Sequence, residues 1–326
     1  MRLRTADSVV VAMAAIAAAL PAVAQISSQS NVEQAAFARR DSIADTRTVR
    51  FELRPPQVGD QVEQKIMLEM RLATSVRQAD QLLDKNEMRM RNTQHRLVTT
   101  TEIVDGRTMA VLVRYPLANK QHAVGEDAKK PLPEAAAANS SPPAAQPVQG
   151  KAYRCRRETG DDGKLIITDE QGNMPPLEEF EIVAQGMEMV GRPNPLADFL
   201  AGRTVAVGET LSLPKEVADR LFGISERFGD VTRFDLTLQD ILTENGAACA
   251  AFLASIDAAS SDSSQMRLQV EGPLVIELDT CRAVRTKLAG PIAMTESRGT
   301  YSTAYQLIST GQLTMAIGAA HRDAQR

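Results

Sequence analysis

The chain has 326 residues, of which 43% are hydrophobic, 24% charged and 4% aromatic. A chain of this length and composition can bury a core, and it is neither collagen-like nor compositionally disordered. The formal net charge of −4 provides no overall electrostatic attraction to nucleic acid or to an anionic membrane surface.

Residues 1–24 have the pattern of an export signal. Two arginines precede an apolar run from Val9 to Leu20, and small residues end the segment at Ala24. This run is shorter than the ~20 residues needed to span a membrane, so we expect cleavage between Ala24 and Gln25. Because Gln25 is not a cysteine, no lipoprotein anchor is expected. The pattern predicts export to the periplasm or out of the cell, without an integral span after signal removal, and a flexible mature N-terminus at 25–47.

Residues 48–115 have the alternation of a first β-meander. Apolar and charged side chains alternate from Val62 to Leu72, as a half-buried antiparallel strand requires. Asp105-Gly106 is a hairpin turn signal, and the alternation returns from Met109 to Tyr115. The following segment, 116–150, is rich in Pro and Ala and lacks aromatic residues, which predicts a flexible insertion or a domain linker.

Residues 151–320 return to strand patterns, with short helices between them, and are expected to form one domain with the first meander. Glu244-Asn245-Gly246 is interpreted as a turn, and the Gly-Pro pairs at 272–273 and 290–291 as breaks between successive strands. The predicted helices lie at 177–183, 195–200 and 214–222. Together these patterns predict an α+β fold that is mainly antiparallel β, with a large curved sheet or half-barrel and two or three short helices in the middle of the chain.

Several short motifs carry a resemblance to a known family. They are Val58-Gly59-Asp60, Arg192-Pro193-Asn194-Pro195-Leu196, the block from Gly202 to Leu211, Gly272-Pro273-Leu274-Val275-Ile276, Asp279-Thr280-Cys281-Arg282 and Leu288-Ala289-Gly290-Pro291. With them the chain resembles exported bacterial, planctomycete-type proteins built on a β-rich domain of unknown function, which more often carry Gly where Cys281 stands. The resemblance implies an antiparallel curved sheet with an outline similar to the lipoprotein-carrier (LolA-like) half-barrel, and it implies no activity.

Motifs for catalysis are missing from the sequence. There is no G-x-S-x-G elbow, H-E-x-x-H pair or Walker loop. Of the three histidines, His95 falls on a predicted strand, His122 in the insertion and His321 in the polar C-terminal tail. We therefore expect no catalytic residue, no cofactor and no metal, and a protein that is not an enzyme.

Clustered carboxylates leave an alternative open. They are Asp161-Asp162, Asp169-Glu170 and Glu178-Glu179-Glu181. A pair of them could act as acid and base in a carboxylate-based hydrolase or bind Ca²⁺. Their positions at turns and on the outer face of a predicted helix favour ordinary solvated side chains instead.

Methionine and cysteine supply the remaining candidate sites. The methionines in the first meander are Met67, Met70, Met88, Met90 and Met109. Because Met is flexible and polarisable, they predict an apolar ligand face, or else the filling of an aromatic-poor core. The three cysteines permit at most one internal disulfide, with Cys249 and Cys281 as the favoured pair, or they are three buried thiols.

Two hypotheses about function follow. The first is an exported non-catalytic protein that binds a lipid or another hydrophobic ligand in a groove of its sheet. The alternative is a cell-envelope interaction or scaffold module without a small-molecule site, which binds a protein partner through strand edges and the Pro/Ala-rich segment. A carboxylate-based hydrolase is the third and least favoured reading.

Overall fold

The computed structural model describes residues 47–78, 81–129, 143–160, 163–222, 230–260, 264–298 and 304–322. Strands make up 65% of these residues, and they form a large antiparallel sheet that is not closed. Four short helices accompany it in this part of the chain. The predicted fold class is therefore confirmed. The predicted signal and the mature N-terminus up to residue 46 lie outside the described residues.

Fourteen strands and four helices follow one another along the described residues. The strands are β1 Thr48–Arg50, β2 Gln61–Gln78, β3 Gln81–Val104, β4 Arg107–Val124, β5 Ala144–Ala145, β6 Ala152–Arg157, β7 Leu165–Asp169, β8 Thr204–Ala206, β9 Thr210–Ser212, β10 Asp230–Glu244, β11 Ala247–Ala259, β12 Ser264–Glu277, β13 Ala283–Arg298 and β14 Tyr305–Arg322. The helices are α1 Glu126–Lys129, α2 Leu177–Met187, α3 Pro195–Leu200 and α4 Lys215–Phe222.

The large sheet contains strands from both ends of the described chain. Its strand order is β7-β6-β4-β3-β2-β14-β13-β12-β11-β10-β9, with β5 paired to β4. The N-terminal and C-terminal strands meet where β14 pairs with β2, and Leu313 lies opposite Met70 there. Strands β1 and β8 form a separate two-stranded sheet. Strands on both sides of the predicted insertion thus belong to a single sheet.

The larger apolar core lies on one face of this sheet. Because successive side chains of a strand point to opposite faces, alternate residues of β2 and of β10 to β14 enter it. Residues of α3 and α4 pack against them, and Phe51 stacks on Phe252 with ring centroids 6.1 Å apart. Leu236 and Leu238 are fully buried, and each such side chain contributes about 1.5–3 kcal/mol to stability.

A second, smaller core lies under α2. Val183 and Met187 of this helix pack against Tyr115 of β4 and Tyr153 of β6. The two tyrosine rings meet edge to face, with centroids 6.1 Å apart. Helix α2 thus covers the β4–β6–β7 end of the sheet, while α3 and α4 cover the other part.

Two turn signals and three helix signals in the sequence are confirmed. The turns at Asp105-Gly106 and Asn245-Gly246 both place two residues at positive φ, between 51° and 83°. This is the backbone that a two-residue hairpin turn requires, and Asn, Asp and Gly adopt it most readily. The three predicted helices are also present, as α2, α3 and α4.

The predicted start of the flexible insertion at residue 116 is wrong. Strand β4 continues through Pro116 to Val124, so His122 lies on a strand and not in an insertion. The strand accommodates the proline because the β3–β4 register shifts between His95 and Leu97, which leaves Tyr115 and Pro116 together opposite Arg96. At such a bulge a residue without an N–H is tolerated.

The interpretation of the Gly-Pro pairs as strand breaks is also wrong. Strand β12 runs through Gly272-Pro273 and β13 through Gly290-Pro291. Strand β14 likewise runs through Gly311 and reaches Arg322, so His321 lies on a strand opposite Val62 and not in a tail. A Cβ atom at these glycines would collide with a backbone carbonyl of the adjacent strand, so the strands approach each other closely here and do not end.

Candidate functional site

The strand register divides the five methionines that were predicted to form one ligand face. Met70 lies directly opposite Met90, and both are buried in the larger core. Met88 is partly buried against the same core, while Met109 is buried in β4. Met67 lies on the opposite face from Met70, because the two are an odd number of residues apart on one strand. The five do not share a face, and Met70 and Met90 fill the core.

The three cysteines are buried free thiols. Cys249 lies in a small cluster with Val275 and Val284, whereas Cys281 lies in the larger core and donates a hydrogen bond to the Glu52 carbonyl oxygen at 2.9 Å. Of the two alternatives, three buried thiols are therefore confirmed and the Cys249–Cys281 disulfide is wrong. Burial raises the pKa of both thiols to about 11. Cys281 has φ +52°, a left-handed backbone conformation that glycine adopts more readily than cysteine.

Most of the candidate carboxylates that are described serve local structure or face solvent. Asp161 and Asp162 lie outside the described residues. Asp169 accepts backbone hydrogen bonds from Gln171 and Asn173 at 2.9 and 2.8 Å, which closes a turn. Glu170, Glu178 and Glu181 are exposed. Among the described residues, no group of three or more His, Cys, Asp or Glu side chains is placed to hold a metal ion.

Glu179 is the exception, because it is buried and not on a solvated helix face as the sequence suggested. Its carboxylate accepts hydrogen bonds from Lys151 Nζ and from the Tyr153 hydroxyl, each at 2.6 Å. Burial raises the pKa of Glu179, but the hydrogen bonds from Lys151 and Tyr153 outweigh it and hold the pKa below its ordinary value of 4.5. The carboxylate thus ties α2 to β6 and is committed to structure.

A Glu179→Gln variant tests this role through its pH dependence. A carboxyl whose pKa is lowered on folding stabilises the protein above its unfolded pKa, and this contribution is lost as the pH falls through the folded value. We expect the variant to be about 1.5–3 kcal/mol less stable near neutral pH, because a hydrogen-bonded charge is lost. The difference should begin to shrink near pH 4.5, where the unfolded chain takes up the proton, and shrink further as the pH falls through the lower folded pKa of Glu179.

Urea unfolding of Glu179→Gln and of the wild type between about pH 7 and pH 3 measures this difference. Glu178→Gln is the matched control, because its side chain is exposed on the same turn of α2. A stability difference for Glu179→Gln that stayed constant over this range would contradict the assignment.

A cleft of about 410 Å³ opens between the two cores. Its floor includes Val62 and Val98, which lie directly opposite each other on β2 and β3. Val62 packs on the larger core and Val98 on the smaller one, so the cleft lies along the seam between them. Met187 and Met189, at the end of α2 and just beyond it, form part of its wall. None of the five methionines predicted from the first meander lines it.

The wall of the cleft after α2 is fixed by Arg157. The guanidinium of this buried residue donates hydrogen bonds to the carbonyl oxygens of Val190 and Glu188, each at 2.5 Å, and of Gly163 at 2.7 Å. Gly191 packs against the side chain of Arg157, where a Cβ atom would find no room. The segment from Met187 to Gly191 is thereby held against the sheet.

A second buried arginine lies directly behind this wall. Arg96 is 2% exposed, and its Nη1 donates to the carbonyl oxygen of Gly186, which lines the cleft, at 3.2 Å. Among the described residues it has no carboxylate partner. Burial lowers the pKa of Arg96 and raises that of the adjacent Tyr115 to about 12, while the arginine opposes the tyrosine's shift. A cation in this position makes the cleft wall electropositive.

Comparison with known proteins assigns no family. Models of known protein families and curated protein sequences give no match to the chain. Among solved structures, lipovitellin, described for its lipid–protein interactions, matches with a TM-score of 0.40 and 8% identity. The match covers 84% of this chain but 26% of that one, so the chain spans about a quarter of the lipovitellin chain.

Two bacterial structures are similar at lower scores. A LolA-superfamily protein from Nitrosomonas europaea has a TM-score of 0.15 and 8% identity, with 80% of this chain and 86% of that one covered. The outer membrane protein OprG from Pseudomonas aeruginosa has a TM-score of 0.16 and 9% identity, with coverages of 84% and 100%. Scores in this range do not assign a function.

The two buried arginines were not predicted from the sequence. A signal for them existed, because Arg157 continues the inward alternation of Tyr153 and Cys155 along β6. Arg96 likewise shares its face with Val98 and with Met90 of β3. A cation in an otherwise apolar row is costly to bury, so such a position indicates a specific hydrogen-bonding role.

No helix among the described residues is long and apolar enough to cross a bilayer.

Proposed function

We propose that the protein binds a single-chain lipid or a similar apolar molecule in the cleft between its two cores. The observation that carries the proposal is a cavity of about 410 Å³ between two packed clusters, whose lining combines Val62, Val98 and Met187 with polar side chains. Sites for small molecules have volumes of about 300–1,000 Å³ and are lined mostly by apolar side chains. The volume lies in the lower part of that range and therefore suits one chain better than several.

The side chains around the cleft suit a flexible apolar ligand. Val62 and Val98 provide a floor held by strand pairing, and Val111 of β4 and Ala197 of α3 also line the cleft. Met187 and Met189 in the wall can adapt their side chains to different chain positions. The sequence predicted that methionines of the first meander would adapt to the ligand, whereas Met187 and Met189 have this position in the structure.

We also propose that this is an exported protein of the planctomycete-type family that the sequence resembles. Export rests on the pattern of residues 1–24 and the small residues before Gln25. An intact mass measured on protein isolated from its native cell would contradict export if residues 1–24 were still present. The envelope interaction module and the carboxylate-based hydrolase stay alternatives that no described contact favours.

Filling the cleft tests the proposed function. In Val98→Trp the larger side chain is expected to occupy the floor and to weaken binding of dodecanol by about tenfold or more. Leu97→Trp is the matched control, because Leu97 is the preceding residue, points to the opposite face and is 38% exposed. Thr108→Trp, at another position in the lining, is a second blocking variant should Val98→Trp fold poorly.

Binding is measured by displacement of the neutral fluorophore N-phenylnaphthylamine, with circular dichroism to show that each variant is folded. Dodecanol should displace the fluorophore from the wild type and from Leu97→Trp. The proposal fails if the wild type binds neither compound, or if folded Val98→Trp and Thr108→Trp both bind them as tightly as the control.

A further inference from the structure

The charges around the cleft indicate the head group of its ligand, an inference that rests on the proposed function. Four arginines line the cleft, namely Arg54, Arg107, Arg192 and Arg282, and a single carboxylate, Asp198, lines it with them. The chain as a whole is acidic, with a net charge of −4. The cleft is therefore a local concentration of positive charge on a negatively charged protein.

Three of these arginines lie where an incoming anion would approach the cleft. Arg54, Arg107 and Arg192 are exposed, so their guanidinium groups lie at the solvent side of the cleft. Arg192 pairs with Glu188 at 3.0 Å, but both side chains are about half exposed, and such surface pairs are weak. Arg107 has no ion pair among the described residues. Even with Glu188 counted, cations outnumber carboxylates at this rim.

Two further cations lie behind the same wall. Arg96 contacts Gly186, and Arg157 binds the carbonyl groups of Glu188 and Val190. Burial and the neighbouring charge of Arg192 lower the pKa of Arg157, although Glu188 opposes this shift. Arg157 and Arg192 thus repel each other, and an anion placed beside them would relieve this repulsion.

We propose that the ligand is an anionic single-chain amphiphile. Its chain lies between Val62, Val98 and Met187, and its carboxylate or phosphate lies at the rim between Arg107 and Arg192. A guanidinium suits this role because it can form two parallel hydrogen bonds to either anion. The apolar side chains of the lining and the basic rim together match the two halves of such a molecule.

Four probes with the same chain but different head groups test the proposal at about pH 8, where the carboxyl is ionised. They are dodecanoate, dodecyl phosphate, dodecanol and dodecyltrimethylammonium. We expect the two anions to bind about tenfold more tightly than dodecanol, with a preference that weakens as salt is added. Inorganic phosphate alone should not displace the fluorophore, since it lacks the chain.

A double variant locates the preference at the rim. In Arg107→Gln/Arg192→Gln the affinity ratio of dodecanoate to dodecanol should fall to about one, because both rim charges are removed. Arg114→Gln/Arg154→Gln is the control with the same change in net charge. Its two arginines are exposed on β4 and β6 and do not line the cleft, so it should keep the wild-type ratio.

The outcomes separate the two proposals. If dodecanol binds as tightly as the anions, or if the cationic probe binds most tightly, the anionic head group is wrong and the apolar cleft stands. An equal loss of preference in both double variants would also overturn the head-group assignment. If no probe binds, or if inorganic phosphate binds as tightly as dodecyl phosphate, the proposed function itself fails.

Discussion

Replacement of Arg157 by alanine is expected to lower the free energy of unfolding by roughly 4 kcal/mol, because a hydrogen bond to a charged group contributes about 1.5–3 kcal/mol. The side chain donates to three backbone carbonyl oxygens, those of Gly163, Glu188 and Val190. These contributions are not additive, since all three bonds share one guanidinium. The variant would leave the carbonyls without their donor and open a cavity beside Gly191.

Arg156→Ala is the matched control for this prediction. The adjacent arginine is exposed and pairs with Glu102 at 2.9 Å across the surface of the sheet. Such an exposed pair contributes little to stability, because water and salt screen the two charges. Urea unfolding of the two variants compares a buried and an exposed arginine in consecutive positions of one strand. A loss for Arg157→Ala no larger than that for Arg156→Ala would contradict the role assigned to Arg157.

Arg157→Lys distinguishes charge from geometry at the same position. Lysine keeps the positive charge but has a single nitrogen, which cannot reach three carbonyl groups in different directions. We expect it to recover only a minor part of the lost stability.

Because Arg157 holds the wall from Met187 to Gly191, the alanine variant should also bind dodecanol more weakly. Unchanged binding would show that the wall is held by other contacts.

The sequence was informative wherever a local pattern determines the structure. The alternation from Val62 to Leu72 predicted β2, and the Asp105-Gly106 and Asn245-Gly246 pairs predicted turns that the structure contains. These features depend on side-chain periodicity and on backbone conformations that few residues adopt. Helix α3 was also predicted. In the structure, the side chain of Asn194 caps its first turn.

The cleft could not be predicted in the same way, because it is built from segments far apart in the chain. Val62 and Val98 are brought together by strand pairing, and Met187 reaches them only after α2 packs on the smaller core. No local pattern encodes the gap between two clusters. The prediction therefore assigned the apolar ligand to the methionines, where composition gave the clearest signal, and not to the seam.

The sequence pattern also did not determine where the strands end, because a glycine inside a strand looks in the sequence like a break between two strands. Gly290 and Gly311 lie in the interiors of β13 and β14. A Cβ atom at Gly290 would collide with the carbonyl oxygen of Gln269, and one at Gly311 with that of Arg71. Glycine is present here because the neighbouring backbone occupies the space of a side chain.

Gly311→Ala is therefore expected to destabilise the protein by about 3 kcal/mol, at the upper end of the overpacking range, because backbone must move to admit the methyl group. Thr310→Ala is the control in the preceding position, where an exposed side chain is shortened and the expected loss is at most about 1 kcal/mol. Thermal or urea unfolding of both variants measures the difference. A similar loss for the two would show that the strands can separate here at little cost.

The double variant Gly290→Ala/Gly311→Ala shows whether the two glycines serve one feature of the sheet. Gly290 lies opposite Leu313 and Gly311 opposite Ile292, so the glycines are diagonal neighbours on paired strands. If both allow the same close approach of β13, β14 and the adjacent strands, the first alanine already forces the strands apart. The second should then cost less than it does alone, so that the double variant loses less stability than the sum of the single losses. Strict additivity would instead mean that each glycine accommodates its own contact, and that the close approach of these strands is set independently at each crossing.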